Sequence, residues 1–346
     1  MTPDCSIIVR SPAEAVAFAP YVIGFHPTDS LVVLGLVGKL VIVGVRHDLP
    51  APVGMFDEVA QVIAQQEAPD VVVLGYGPPG LVTPAVLELA TALAPTGVRV
   101  RDALRVTDGR WWSYSCSDPL CCPPDGTPCQ PDLAAEAVFR GLVALPDRKA
   151  LIARVAPIEG AARREMTAAT ARARARFTDL SAQDVAAARG GRWIRKAGRQ
   201  AIREAERLAR AGAMPSHDDI AWLGVLLLEP VVLDYALDRS QPDEWRIRLW
   251  NEVVRLIDPA YATGPACLLG FAAWRVGDGA LARVALDRAL KENPGHRTAG
   301  VLDRVLSAGI GPHALVTLGP PARAPRNRRE TDGERRKRRS PRRRSQ

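Results

Sequence analysis

The sequence predicts an α/β region with a mixed sheet and βαβ units, then an all-α region, then a disordered basic tail. Three observations carry this. Up to about residue 106, short apolar runs of strand length alternate with helical stretches, the pattern of strand–helix–strand crossovers. From residue 133 only helical periodicity is left. From about residue 320 the apolar period disappears and Pro, Arg, Ser and Asp dominate. The expected divisions are residues 1–130, 131–318 and 319–346.

The elements follow in order. Ser11-Pro12-Ala13-Glu14 is a capping box with Pro at the first helical position. Gly24-Phe25-His26-Pro27-Thr28-Asp29-Ser30 is a turn. Residues 31–36 and 40–45 are strands joined by Val37-Gly38-Lys39, and their continuous apolar character suits strands covered on both faces. A helix over 56–67 stops before Pro69, a strand covers 71–74, Thr83-Pro84 starts a helix running to 93, and a strand covers 98–106. Helices are then expected at 133–145, 147–155, 160–177, 182–211 (broken at Gly190-Gly191), 217–228, 230–239, 243–257, 264–276, 279–292 and 297–308. Ser181 with Asp184, and Ser216 with Asp219, act as start signals.

A chain of 346 residues with 47% hydrophobic content can bury a large core. Its net charge of +8 suggests a polyanionic partner, but the distribution narrows that reading. Twelve of the 46 basic residues and three of the 38 acidic ones lie from Arg323 onward, leaving 34 against 35 and a net charge of −1 before it. Nucleic-acid contact is therefore expected to be weak, non-specific and made through the tail. The cations at Arg192, Arg195, Arg199, Arg203 and Arg207, with Glu204 and Glu206 nearby, are expected to be a solvated helix face, with a nucleic-acid face as the alternative. Met1-Thr2-Pro3-Asp4 has no basic leader pattern, and no apolar run approaches the ~20 residues of a spanning helix. The expectation is a cytoplasmic protein without membrane contact, its cysteines reduced.

Between the two regions, residues 110–126 read RWWSYSCSDPLCCPPDG, too aromatic and thiol-rich for an ordinary connector. Cys116, Cys121 and Cys122 are the metal-ligand candidates, with zinc the ion considered, though adjacent cysteines seldom both reach one tetrahedral ion. His26 and His47 could join only through the fold. The competing expectation is structural. His26, Asp29, Arg110, Trp111, Trp112 and Tyr114 would form either a ligand surface or a junction between the two regions. Strand alternation sends Trp112 and Tyr114 to one face and Trp111 to the other. On the junction reading the loop crosses to the helices and buries a tryptophan with Cys121 or Cys122.

Gly75-Tyr76-Gly77-Pro78-Pro79-Gly80 has the G-x-G-x-x-G form, with Asp102 where a ribose carboxylate would stand. Pro78 and Pro79 lack the N–H groups that phosphate needs, so no dinucleotide or other cofactor is predicted there. No catalytic residues are assigned, and no Walker, H-E-x-x-H or G-x-S-x-G motif is present.

The segments at 11–14, 24–31 and 110–114, together with Cys116…Cys121-Cys122-Pro123, resemble the bacterial family called domain of unknown function 4192, over nearly the whole chain except the tail. Cys129 falls outside the resembling pattern. The resemblance implies an intracellular protein and brings no functional residues with it. Residues 263–296 resemble a single tetratricopeptide repeat through Leu269-Gly270, Ala282, Leu286, Ala289 and Pro294. The functional expectation is a binding or scaffold protein that contacts a protein partner through its helical region. The alternative is a small-molecule- or metal-binding enzyme with its site at residues 110–129.

Overall fold

A six-stranded sheet fills the first part of the chain. In the computed structural model, which describes residues 7–139, 141–187 and 190–312, α1 (Pro12–Ile23) opens the fold. Ser11 accepts the Glu14 N–H at 3.2 Å, as the capping sequence requires. Then come β1 (Ser30–Val37), β2 (Leu40–Asp48), α2 (Met55–Gln65), β3 (Asp70–Tyr76), α3 (Pro79–Leu93), β4 (Arg99–Thr107), β5 (Arg110–Ser113) and β6 (Thr127–Pro128). The strand order is β2-β1-β3-β4-β5-β6. Only β3 and β4 are adjacent and parallel. Because β1 is antiparallel to both neighbours, β2 runs parallel to β3 across it, and β2–α2–β3 is a second crossover.

Both crossover helices cover one face. Leu31, Val33, Val71, Val73 and Ala103 pack there against Phe56, Ile63, Val82 and Leu89. The other face carries α1 against β2 and β4. β1 and β3 are buried on both faces, which explains their unbroken apolar runs, but β2, expected to be covered likewise, is the edge strand and stays exposed or half-buried along its length.

The start of α3 differs from the sequence reading. α3 begins at Pro79, not near Thr83, because extended Pro78 acts as its cap and accepts the Leu81 and Val82 N–H groups. Gly75 faces this helix, and a Cβ there would collide with Val82, so glycine sets how closely α3 approaches the sheet. The loop before α3 is thus bound up with packing. Pro78 and Pro79 bring no N–H groups to this helix start.

The rest is helical: α4 (Ala135–Phe139), α5 (Arg148–Ala153), α6 (Gly160–Ala186), α7 (Arg192–Arg210), α8 (His217–Leu226), α9 (Pro230–Asp238), α10 (Glu244–Leu256), α11 (Thr263–Val276), α12 (Gly279–Glu292) and α13 (Arg297–Ser307). The helix expected at 133–145 shrinks to one turn of 3₁₀ helix and the five residues of α4. The break expected at 178–181 is absent, since Ser181 sits within α6 instead of capping a new helix. α11 is buried around most of its circumference and contacts α9, α10, α12 and α13. Gly277 (φ 89°) ends it, and Asp278 caps α12 by accepting the Leu281 N–H, which makes the expected helical hairpin. Gly270 lies against Leu286, while Ala282 and Ala289 are fully buried, so the small residues sit where the helices meet.

Met1–Gly311 clusters as one compact unit. No single helix among the described residues is long and apolar enough to cross a membrane. The basic tail expected at 319–346 lies outside the described residues.

Candidate metal centre

The turn Asp108-Gly109, with φ of 50° and 71°, reverses β4 into β5. Strand alternation then sorts β5 as the sequence implies. Trp111 is buried opposite Val106, and Trp112 pairs with Arg105 on the other face. Tyr114 continues on the Trp112 side, where its hydroxyl lies 2.8 Å from Thr83 Oγ1 of α3.

A chain of hydrogen bonds starts the loop. Half-buried Asp102 accepts from the Ser113 hydroxyl (3.1 Å) and the Ala103 N–H (2.9 Å). Ser113 Oγ in turn accepts the Ser115 and Cys116 N–H groups at 3.1 and 3.2 Å. Burial raises the Asp102 pKa, with the Ser113 hydrogen bond opposing it. Asp118 closes the next turn. Its carboxylate accepts the Leu120 N–H (2.9 Å), and its carbonyl accepts from Cys121 (3.1 Å) and Cys122 (2.7 Å).

The return limb is fixed from β5. Trp112 Nε1 donates to the Pro124 carbonyl at 2.9 Å, and Arg110 Nε donates to that of Asp125 at 2.7 Å. The Trp112 indole is held between two groups. The Arg105 guanidinium stands 3.8 Å from one ring centroid, and Gly126 lies so close that a Cβ would meet Cζ2 at 2.6 Å. Thr127 then pairs with Trp111 in β6.

The loop therefore leaves β5 and comes back to it. The expected crossing that would bury Cys121 or Cys122 does not occur, because the loop's hydrogen bonds are spent on its own strand. Trp111 is buried, Cys121 is exposed, and Cys116 and Cys122 are half-buried.

This hairpin-like excursion brings three thiols together. The Sγ atoms of Cys116, Cys121 and Cys122 all lie within 4.8 Å of one another. Around a tetrahedral zinc with Zn–S near 2.3 Å, sulfurs stand about 3.8 Å apart, so small side-chain rotations suffice to converge them. Adjacent Cys121 and Cys122 both contribute because the Asp118 turn curls the backbone under them. Among the described residues the group includes neither His26 nor His47. His26 is exposed and tied by its N–H to the Leu145 carbonyl, and Asp29 (φ 41°) lies beside Gly77. Of the surface residues expected to act together, Arg110 and Trp112 hold the loop, and Tyr114 ties its start to α3.

The thiols are electrostatically unequal. The Asp118 N–H on its sulfur holds Cys116 below the usual thiol range, and Cys122 beside it adds to this. Cys122 is pushed up to about 12, chiefly by Cys116. Three thiolates side by side would concentrate negative charge that a bound cation offsets.

Residues 12–313 match the family model described as Domain of unknown function (DUF4192). The chain belongs to this family. No curated protein and no solved structure matches it. Three positions in this DUF4192 chain that matter to the loop escaped the sequence reading as participants: Asp102, Arg105 and Gly126. Only Gly126, in its Pro-Pro-Asp-Gly turn, carried a local signal.

Proposed function

We propose that this protein binds a soft, closed-shell metal ion, Zn²⁺ or Cu⁺, through the thiolates of Cys116, Cys121 and Cys122. The observation that carries the reading is their mutual sulfur distance within a loop braced on both limbs by β5. All-sulfur ligation selects thiophilic ions over Mg²⁺ or Ca²⁺. Three protein ligands leave a fourth position for water or a further thiolate on Zn²⁺, or suit a trigonal Cu⁺. A reducing compartment such as the cytoplasm keeps these thiols available. Metal content measured on protein purified without added metal, followed by Co²⁺ titration for a thiolate charge-transfer band, tests it. We expect one ion per chain and at least a tenfold weaker affinity in Cys122→Ser. Absence of stoichiometric metal together with no Co²⁺–thiolate band refutes the reading.

A second reading, a scaffold that meets a protein partner through its helical region, is favoured by Phe139. This ring is 92% exposed on α4, next to exposed Val138 and near exposed Val143. Phe139→Asp should then abolish partner capture without lowering Tm.

A further inference from the structure

The outer side of α7 carries a charge pattern that packing does not explain. All seven basic residues of this helix, from Arg192 to Arg210, fall within an arc of about 120° at 100° per residue. The buried residues Gly198, Ile202, Ala205 and Ala209 fall in a flanking arc of about 60°, centred roughly 110° from the middle of the cations. The result is a straight rail of cations about 27 Å long.

Acidic groups are kept off this rail. Glu206 turns inward, where Arg239 and Arg246 hold its carboxylate, and Glu204 pairs with Arg207. Among the described residues none of the other six cations has an ion-pair partner. Several are nonetheless held in place. Arg199 lies 5.3 Å from the centroid of the Tyr235 ring, Arg203 Nε donates to the Tyr235 hydroxyl at 2.9 Å, and Arg210 lies 4.8 Å from the Trp245 ring. A guanidinium held against an aromatic ring keeps N–H groups free for an oxyanion.

Arg192, Arg195 and Lys196 also stand at the start of α7, where the helix already presents partial positive charge, and no acid occupies the first turn. The nearby Asp184 carboxylate is buried and accepts the Gly191 N–H at 2.6 Å. Cations placed there weaken the free helix and favour an arriving anion.

We propose that this face of α7 binds the phosphate backbone of a nucleic-acid duplex, without reading its sequence. A rigid, linear array of guanidiniums fits a regular line of phosphates, and 27 Å spans about eight base pairs at 3.4 Å each. The apolar side of α7 is committed to the core, so the helix has no face to insert into a membrane. This inference is independent of the metal site.

The test uses the full chain. Arg328, Arg335, Arg336, Lys337, Arg338, Arg339, Arg342, Arg343 and Arg344 are first changed to Gln, which leaves three basic residues against three acidic ones from Arg323 onward, so that the tail no longer masks the folded part. In that background Arg192, Arg195 and Lys196 are each changed to Glu, and in a milder variant to Gln. Fluorescence anisotropy with a labelled DNA duplex of about 20 base pairs is read from about 50 to 200 mM salt. The tail-neutralised chain is expected to bind. The Glu variant should bind at least tenfold more weakly, with a log K against log salt slope shallower by about 2.7, or 0.9 per lost phosphate contact. Its Tm should be unchanged or higher, because Glu suits the first turn of a helix. If Tm falls instead, the Gln variant takes its place, with the same loss of slope expected. The proposal is overturned if the tail-neutralised chain does not bind, or if the charge variants keep its affinity and slope. It is equally overturned if polyglutamate or phosphatidylserine vesicles compete as well as unlabelled duplex, which would assign the rail to an acidic protein or a membrane.

Discussion

Gly126→Ala tests how the thiol loop is held. At φ 77° an alanine is strained by about 1–2 kcal/mol, as any L-residue is in the left-handed region. Its Cβ would also drive into the Trp112 indole, which cannot retreat because Arg105 covers the other face and Nε1 is bound to Pro124. That overpacking adds about 1–3 kcal/mol. Gly109→Ala is a matched control, since Gly109 has φ 71° and its Cβ would meet open space. With unfolding entropy near 2.1 cal/mol/K per residue, a unit of roughly 300 residues loses about 1.5 °C per kcal/mol. Gly109→Ala should therefore lower Tm by about 1.5–3 °C and Gly126→Ala by about 3–8 °C. Tryptophan fluorescence during thermal unfolding reads both variants. Equal shifts would refute the close contact between Gly126 and Trp112, and with it the account of what anchors the return limb.

Other outcomes follow from burial and charge elsewhere. Glu206→Gln leaves the buried Arg246 guanidinium with Asp243 as its remaining carboxylate and should cost about 1–3 kcal/mol by urea unfolding; no measurable loss would mean that Asp243 or water compensates the arginine. Ala289→Leu should overpack the α11–α12 interface by about 1–3 kcal/mol, and an unchanged Tm would contradict the packing seen there. Burial raises the Asp278 pKa above 3.8, so its stabilising contribution is present below the unfolded value and lost as pH rises through the folded one. Asp278→Asn keeps the cap acceptor, so its Tm should exceed that of the parent at pH 7 and the gap should close towards pH 4. A gap that widens on acidification would reverse the assigned cause.

Much of the fold was legible because its signals are local. The unbroken apolar runs of β1 and β3, the Ser11 cap, the Ser216 capping box and the Gly277-Asp278 turn each depend on residues within a few positions. So does the alternation that separates Trp111 from Trp112. Tertiary structure decided the rest, where distant groups compete for the same atoms. Helix α3 starts at Pro79 because its packing against Gly75 and the Pro78 carbonyl outweighs the later Thr83-Pro84 signal. The three cysteines were visible as candidates, but their spacing could not say whether adjacent thiols converge. Their convergence depends on the Asp118 turn and on Trp112 and Arg110 holding carbonyls twelve and fifteen residues away. The charges of α7 likewise looked balanced in sequence, since Glu204 and Glu206 lie among the arginines. Folding turns Glu206 into the core against Arg239 and Arg246, and so leaves the cations on the outside.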